Sequence, residues 1–237
     1  MYTYIYSSYL QRKKYNPLLL AIETSLSSYG ISGDVRRLSN FLTIESITRD
    51  VLRKKSGTVV VVGDDKTAFE VINCLAGSLI VFSFIPVEEK SHYGEILGIP
   101  SGEAACEVIA ARRLETVDLG YVDKRYFLES ACTEVPAKIA LQCKDFVIET
   151  KKEFWVCLTN IGVNSPCDGQ LDAVIFRKSF FGSGAEIFSS IPLQECELKT
   201  HKTQFLILDQ CQKAPLPAKI RVAPKALRVI VGKNRQF

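Results

Sequence analysis

The sequence predicts a chain in two parts, an α/β domain built on a buried parallel sheet followed by an all-β half. Three observations carry this. Val59-Val60-Val61-Val62 runs without a break into Gly63; a half-exposed strand would place alternate side chains in water, so four valines read as a central strand covered on both faces. Strand-like and helix-like segments alternate around it as far as Arg113, the pattern of parallel strands joined by helices. From Glu115 onward the pattern changes to short strands, often of period two.

Taken in order, residues 2–9 read as the first strand. Pro17 opens a helix over residues 18–29, with Leu19, Ile22 and Leu26 on one face and Gly30 and Gly33 at its end. A short strand and a helix over residues 44–55 lead to the valines. Gly63 then breaks the strand, and Thr67 is placed to cap the next helix with Glu70 completing a capping box. Phe69, Ile72 and Leu75 or Ala76 recur at helical spacing up to Gly77. A strand over 79–85 follows, and Ser101 caps a helix over 102–113. Beyond it, Val122-Asp123-Lys124 turns between two strands, 144–149 and 154–159 read as a hairpin around Lys151-Lys152, and residues 173–177 read as a further strand.

Composition narrows the classes. The 237 residues are 47% apolar and 24% charged, an ordinary globular balance. The longest apolar run, 79–87, is interrupted by Ser83 and Pro86 and is too short to span a membrane. Met1-Tyr2-Thr3-Tyr4-Ile5-Tyr6 has neither the basic start nor the cleavage site of a signal peptide, so a cytoplasmic protein is expected. Eight cysteines are scattered with no Cys-x-x-Cys pair, and are expected reduced and hydrophobe-like. His92 and His201 are the only histidines, which disfavours a Cys/His zinc site or a Cys–His nucleophile pair. The net charge is +4, yet no acidic residue follows Asp209 while Lys213, Lys219, Arg221, Lys225, Arg228, Lys233 and Arg235 do. This tail reads as a solvated edge or, more sharply, as a face for anionic lipid headgroups. No helix-turn-helix, zinc-finger or aromatic–basic pattern supports nucleic acid as a partner. Homodimer formation is left open.

A strand, a polar turn and a helix N-terminus make the usual place for phosphate in an α/β fold. Here that turn, Gly63-Asp64-Asp65-Lys66-Thr67, resembles the nucleotide loop of the diacylglycerol kinase catalytic-domain family, which includes bacterial-type lipid kinases and is related to sphingosine kinases and NAD kinases. The family carries Gly-Gly-Asp-Gly-Thr; Gly63, Asp65 and Thr67 match, and Asp64 and Lys66 replace glycines. Pro86 and Leu97-Gly98-Ile99-Pro100 frame a second loop similar to Pro-Leu-Gly-Thr-x-Asn-Asp-Phe-Ala-Arg, with Glu88, Glu89 and Ser91 in place of its glycine, threonine and asparagine. Val117-Asp118-Leu119-Gly120, Arg125-Tyr126-Phe127-Leu128 and Asp168-Gly169-Gln170-Leu171-Asp172 resemble three further segments, and Asp209-Gln210-Cys211 stands where the family has Asp-Gly-Glu. The closing run 217–231 is similar as well. The family's Asn-Pro-x-x-Gly turn has no counterpart at Ser7-Ser8-Tyr9, and Asn16-Pro17 comes too late.

The resemblance implies a Rossmann-like domain over 1–113, a β-sandwich-like domain over 114–223, and a last strand, 226–231, returning to the first domain, with the family's site in the cleft between them. It implies ATP held around Gly63, Asp64, Asp65, Lys66, Thr67, Glu88 and Glu89, a structural Mg2+ at Asp168 with Asp172 behind it, and Asp209 as the base that takes a lipid hydroxyl's proton. The residues themselves also permit helix capping by Asp65 and Thr67 and plain turns at Asp168 and Asp209. An added carboxylate about 4 Å from a phosphate oxygen opposes binding by roughly 4 kcal/mol at an effective dielectric of 20. The expectation is therefore a lipid-kinase-like protein with weak or lost ATP-dependent phosphorylation and a binding or scaffold role. The alternative is an active ATP-dependent lipid kinase. A third reading, NAD-kinase-like activity, shares the Asp65 loop, while the Asp168 loop and Pro224-Lys225-Ala226-Leu227 argue against it.

Overall fold

The computed structural model describes residues 1–54, 57–161, 166–178 and 185–237. These form two compact units, one of residues 1–117 with 226–237 and one of residues 118–225.

The first unit alternates strand and helix: β1 (Tyr2–Tyr6), α1 (Asn16–Ser28), β2 (Asp34–Arg37), α2 (Ile44–Arg53), β3 (Thr58–Gly63), α3 (Asp65–Leu75), β4 (Val81–Pro86), α4 (His92–Leu97) and α5 (Ala105–Ala111). The strands lie parallel in the order β2-β1-β3-β4. Every residue of β3 and β4 is buried, as both faces of a parallel sheet must be when helices cover them. Val60 lies between Tyr4 of β1 and Ser83 of β4. Burying each such valine contributes about 1.5 kcal/mol or more. Pro17 sits in the first turn of α1, and Leu19, Ile22 and Leu26 are its buried face. α2 turns Ile44, Ile47 and Val51 inward beneath a Thr43 cap. Gly98 ends α4 at φ 66°, where a Cβ would meet the Arg235 amide nitrogen at 2.5 Å.

The strand β5 (Leu114–Val122) passes from the first unit into the second. There follow β6 (Arg125–Phe127), β7 (Ser130–Thr133), β8 (Ile139–Gln142), β9 (Val147–Glu149), β10 (Trp155–Thr159), β11 (Leu171–Lys178), β12 (Ala185–Leu193), β13 (Glu195–Thr200), β14 (Phe205–Leu208), β15 (Gln212–Pro215) and β16 (Ala218–Ile230). One antiparallel sheet runs β12-β11-β10-β7-β14-β15. A second antiparallel group runs β9-β8-β13-β16. Burial alternates along β10, β13 and the start of β16, so one face of each sheet is covered and the other solvated. The end of β16 belongs to the first unit and pairs in parallel with β4, Arg228 opposite Val81. This is the expected combination of an α/β domain, a strand-rich domain and a returning last strand.

Several elements differ from the sequence reading. The first strand stops at Tyr6, and two short 3-10 turns, Ser8–Gln11 and Lys13–Tyr15, lead into α1. The helix expected over 102–113 is a 3-10 turn followed by α5, which ends where Arg112 turns left-handed at φ 50°. Lys55, the expected end of α2, lies outside the described residues. The expected hairpin of 144–149 with 154–159 does not form: β9 pairs back onto β8, while β10 lies in the other sheet between β7 and β11. The cysteines are not all reduced either. Cys132 and Cys157 stand opposite each other in β7 and β10 and form a disulfide, whereas Cys106 and Cys196 are buried and free as expected. Among the described residues no helix is long and apolar enough to cross a membrane.

Gly120 lies opposite Phe127 in the β5–β6 hairpin, and a Cβ there would come within 1.9 Å of the buried ring. Gly120→Ala is predicted to lower stability by about 1–3 kcal/mol through overpacking. Urea denaturation reads this as a lower midpoint at constant slope; an unchanged midpoint would mean that the ring does not need the glycine.

Candidate functional site

The chain leaves β3 through Gly63, where a Cβ would meet Ser7 Oγ at 1.8 Å. Ser7 is thereby brought against the turn: its amide donates to Val62 O at 3.0 Å and its hydroxyl to Thr67 Oγ1 at 2.8 Å. The capping residue of α3 is Asp64, not Thr67. Asp64 has extended backbone, φ −104° and ψ 165°, and its Oδ1 accepts from the Thr67 amide at 2.8 Å. Thr67 lies three residues on, inside the first turn, so Glu70 has no part in a capping box. Aspartate is among the best caps because its carboxylate satisfies an orphan amide and faces the positive end of the helix dipole.

Asp65 opens α3 and reaches across to the second loop. Its Oδ1 accepts from Ser91 Oγ at 2.6 Å and from the Tyr93 amide at 3.3 Å, and its Oδ2 accepts from the His92 amide at 2.8 Å. Ser91 Oγ in turn accepts from the Gly94 amide at 3.0 Å, capping α4. One carboxylate thus ties the N-termini of α3 and α4 together through charge-assisted bonds. The sequence-predicted loop residues Gly63, Asp64, Asp65 and Thr67 are brought together in this way. Lys66, Glu88 and Glu89 are exposed.

Tyr9 was not singled out by sequence reasoning. Its hydroxyl is buried without a hydrogen-bond partner. Burial, and then the negative charges of Asp64 and Glu88, followed by Tyr15 and Asp65, push the phenol above its ordinary range. Tyr9 therefore shares one region with the carboxylates of both loops. The available signal was its place, where the family's Asn-Pro-x-x-Gly turn would lie. A cavity of about 730 Å3 opens beside the second loop, with Glu88, Glu89, Glu95 and Glu107 in its lining together with Arg113 and Lys233. Asp64 already takes the Thr67 amide, one of the donors that a phosphate at the N-terminus of α3 would use.

In the second unit, Asp209 is buried and its side chain accepts from three consecutive amides, Leu128 at 2.6 Å and Glu129 and Ser130 at 2.9 Å each. Asp209 and Gln210 both have left-handed backbone, at φ 44° and 56°, and the Asp209 amide donates to Ser130 O at 2.9 Å. Asp168 is exposed and makes an Asx turn, its Oδ1 accepting from the Gln170 amide at 2.9 Å. Asp172 is buried in β11. The carboxylate beneath this turn is Asp118, which the sequence reading quoted in a motif but gave no role. It is buried and accepts from the amides of Gly169 and Lys225, each at 2.7 Å. Its signal was an acid set between Val117 and Leu119 in the strand. Asn160 Nδ2 joins the two carboxylate-held regions by donating to the carbonyls of Asp118 and Leu128, each at 2.8 Å. Among the described residues, no group of three or more His, Cys, Asp or Glu side chains is arranged to hold a metal ion.

These loops can be set beside known proteins. A family model described as the diacylglycerol kinase catalytic domain matches residues 7–122. A crystal structure of a diacylglycerol kinase from Bacillus anthracis str. Sterne superposes with a TM-score of 0.81 at 16% identity, covering 98% of this chain and 97% of that one. Two further structures assigned to diacylglycerol kinases of the same strain give TM-scores of 0.79 at 16% identity and 0.78 at 15%. Their coverage is 98% and 97% of this chain and 97% of each of theirs. At such identities the likeness shows the fold. No curated protein matches the chain. The chain thus matches the diacylglycerol kinase catalytic-domain model over residues 7–122 and shares the fold of these structures along its whole length.

Proposed function

We propose that this protein is a lipid-kinase-like binding or scaffold protein whose ATP-dependent lipid phosphorylation is weak or lost. The observation that carries this reading is the use of Asp64 and Asp65 on the protein's own amides and hydroxyl. A phosphate cradle needs free amides at a helix N-terminus, and here an aspartate carboxylate supplies the anion instead. Glu88 and Glu89 add charge on the second loop. Each carboxylate about 4 Å from a phosphate oxygen opposes it by roughly 4 kcal/mol at an effective dielectric of 20, which is nearly three decades of affinity. Lys66 and Lys90 are exposed and offer two compensating charges. The residues around these loops are thus a poor fit for a triphosphate. Mg2+, where a family kinase binds it, neutralises phosphate charge; here Asp168 would be the candidate ligand, with Asp172 behind it.

The alternative, an active ATP-dependent lipid kinase, is favoured by the presence of Gly63, Asp65, Thr67 and Asp209 at the positions where the family's motifs have them. Calorimetry with Mg-ATP separates the two. The expected result is affinity in about the millimolar range or weaker. Micromolar binding that is lost in Asp65→Ala would establish a working site and overturn the proposal. The double change Glu88→Gly, Glu89→Thr is expected to tighten binding by about tenfold or more, the worth of roughly 1.4 kcal/mol; no gain would remove the charge argument.

An anionic membrane surface is the partner that the basic C-terminal run supports, and the contact should be weak. Lys213 pairs with Glu134 at 2.5 Å and Arg235 with Glu115 at 2.8 Å, so part of that charge is already neutralised. Flotation with anionic vesicles should show slight binding that disappears as salt shortens the screening length. Tight binding that persists at high salt would contradict a peripheral electrostatic contact.

A further inference from the structure

The disulfide sits where it can influence Asp209. Cys132 and Cys157 are directly opposed on β7 and β10, and both are half-buried, within reach of small thiols. β7 is a four-residue strand held by three register pairs on each side, to β10 and to β14. It begins at Ser130, the last of the three residues whose amides Asp209 holds. Cys132 Sγ lies 3.8 Å from Ser130 Oγ. On the other side of β7, Ile207 pairs with Cys132 and Leu208 with Ala131, and the next residue is Asp209. The covalent link joins the middle of this short strand to β10, while β14, which leads into Asp209, pairs along its other edge.

We propose that Cys132 and Cys157 form a reversible redox-modification site, open to low-molecular-weight thiols, that controls the order of the 128–130 turn and its grip on Asp209. In the reductive direction two molecules of a small thiol exchange in turn. The first thiolate attacks one sulfur and breaks the Cys132–Cys157 bond, leaving a mixed disulfide and one cysteine thiolate, which takes up a proton. The second releases the other cysteine as a thiol, and the two small thiols leave joined as their own disulfide. The protein gains two electrons and two protons, and the small thiols lose them. Without the cross-link, β7 keeps only its short ladders, and local opening there becomes easier. The inference does not depend on nucleotide binding.

Two readouts test it. Thiols are counted under denaturing conditions after equilibration with oxidised glutathione, with mixed disulfides excluded by mass. Six are expected of the eight cysteines, because six lie outside the Cys132–Cys157 disulfide, and eight after dithiothreitol. Amide hydrogen exchange of the intact protein is then compared between the oxidised and reduced forms. The amides of Leu128, Glu129 and Ser130 should exchange at least about tenfold faster once the link is reduced, as expected for a lowered local opening free energy. Val60 and Val61 in β3 should stay unchanged. Cys157→Ser, which cannot form the link, should match the reduced wild type without any reductant present. Eight thiols in the oxidised sample, or equal exchange at 128–130 in both forms of the wild type, would overturn the proposal whether or not the variant folds.

Discussion

Backbone amides at the ends of strands and helices need acceptors, and in this protein aspartate carboxylates supply them. Asp64 and Asp65 do so in the first unit, and Asp118 and Asp209 in the second. Asp64, Asp65 and Asp209 stand at the ends of a helix or strand, whereas Asp118 lies inside β5 and serves Lys225 inside β16. Asp209 takes three amides of one turn, and Asp118 joins Gly169 to Lys225, far apart in sequence. Leaving a buried donor unsatisfied costs about 1–3 kcal/mol, and bonds to a charged acceptor are stronger than neutral ones. The loops that interrupt the two sheets depend on these few side chains.

The same chemistry bears on function. A helix N-terminus attracts an anion, whether a phosphate or a side chain. With Asp64 in a place where the family has glycine, the chain brings its own anion to the first turn of α3. Asp65 then draws the second loop in through Ser91, His92 and Tyr93. These protein contacts tie the two loops to each other. On the function proposed above, the scaffold keeps its fold while its nucleotide affinity falls.

Much of the fold could be read because it follows from burial. Four valines admit only a covered central strand, and the Leu19, Ile22, Leu26 face of α1 follows from helical spacing. What could not be read depends on choices between equivalent local signals or on long-range register. Asp64 and Thr67 are both good caps three residues apart, and only the extended backbone at Asp64 decides between them. Lys151-Lys152 looks like a hairpin turn, yet Ile148 pairs back with Leu141 and Trp155 with Phe176. The Cys132–Cys157 pair is set by the register of strands 25 residues apart. Asp118 was marked in the sequence only as an acid within a strand, and the amides it serves lie 51 and 107 residues away. At the candidate site the motif positions were legible, but the partners of their side chains were not.

Asp65 is where a structural role and a nucleotide role make opposite demands, and its contribution to stability without ligand distinguishes them. Urea unfolding of Asp65→Ala in the absence of nucleotide and metal should show a loss of about 2–3 kcal/mol, the cost of orphaning partly buried amides that a carboxylate had satisfied. A variant as stable as the wild type would contradict the view that these aspartates hold the loops together, and would leave Asp65 as a residue kept for a ligand.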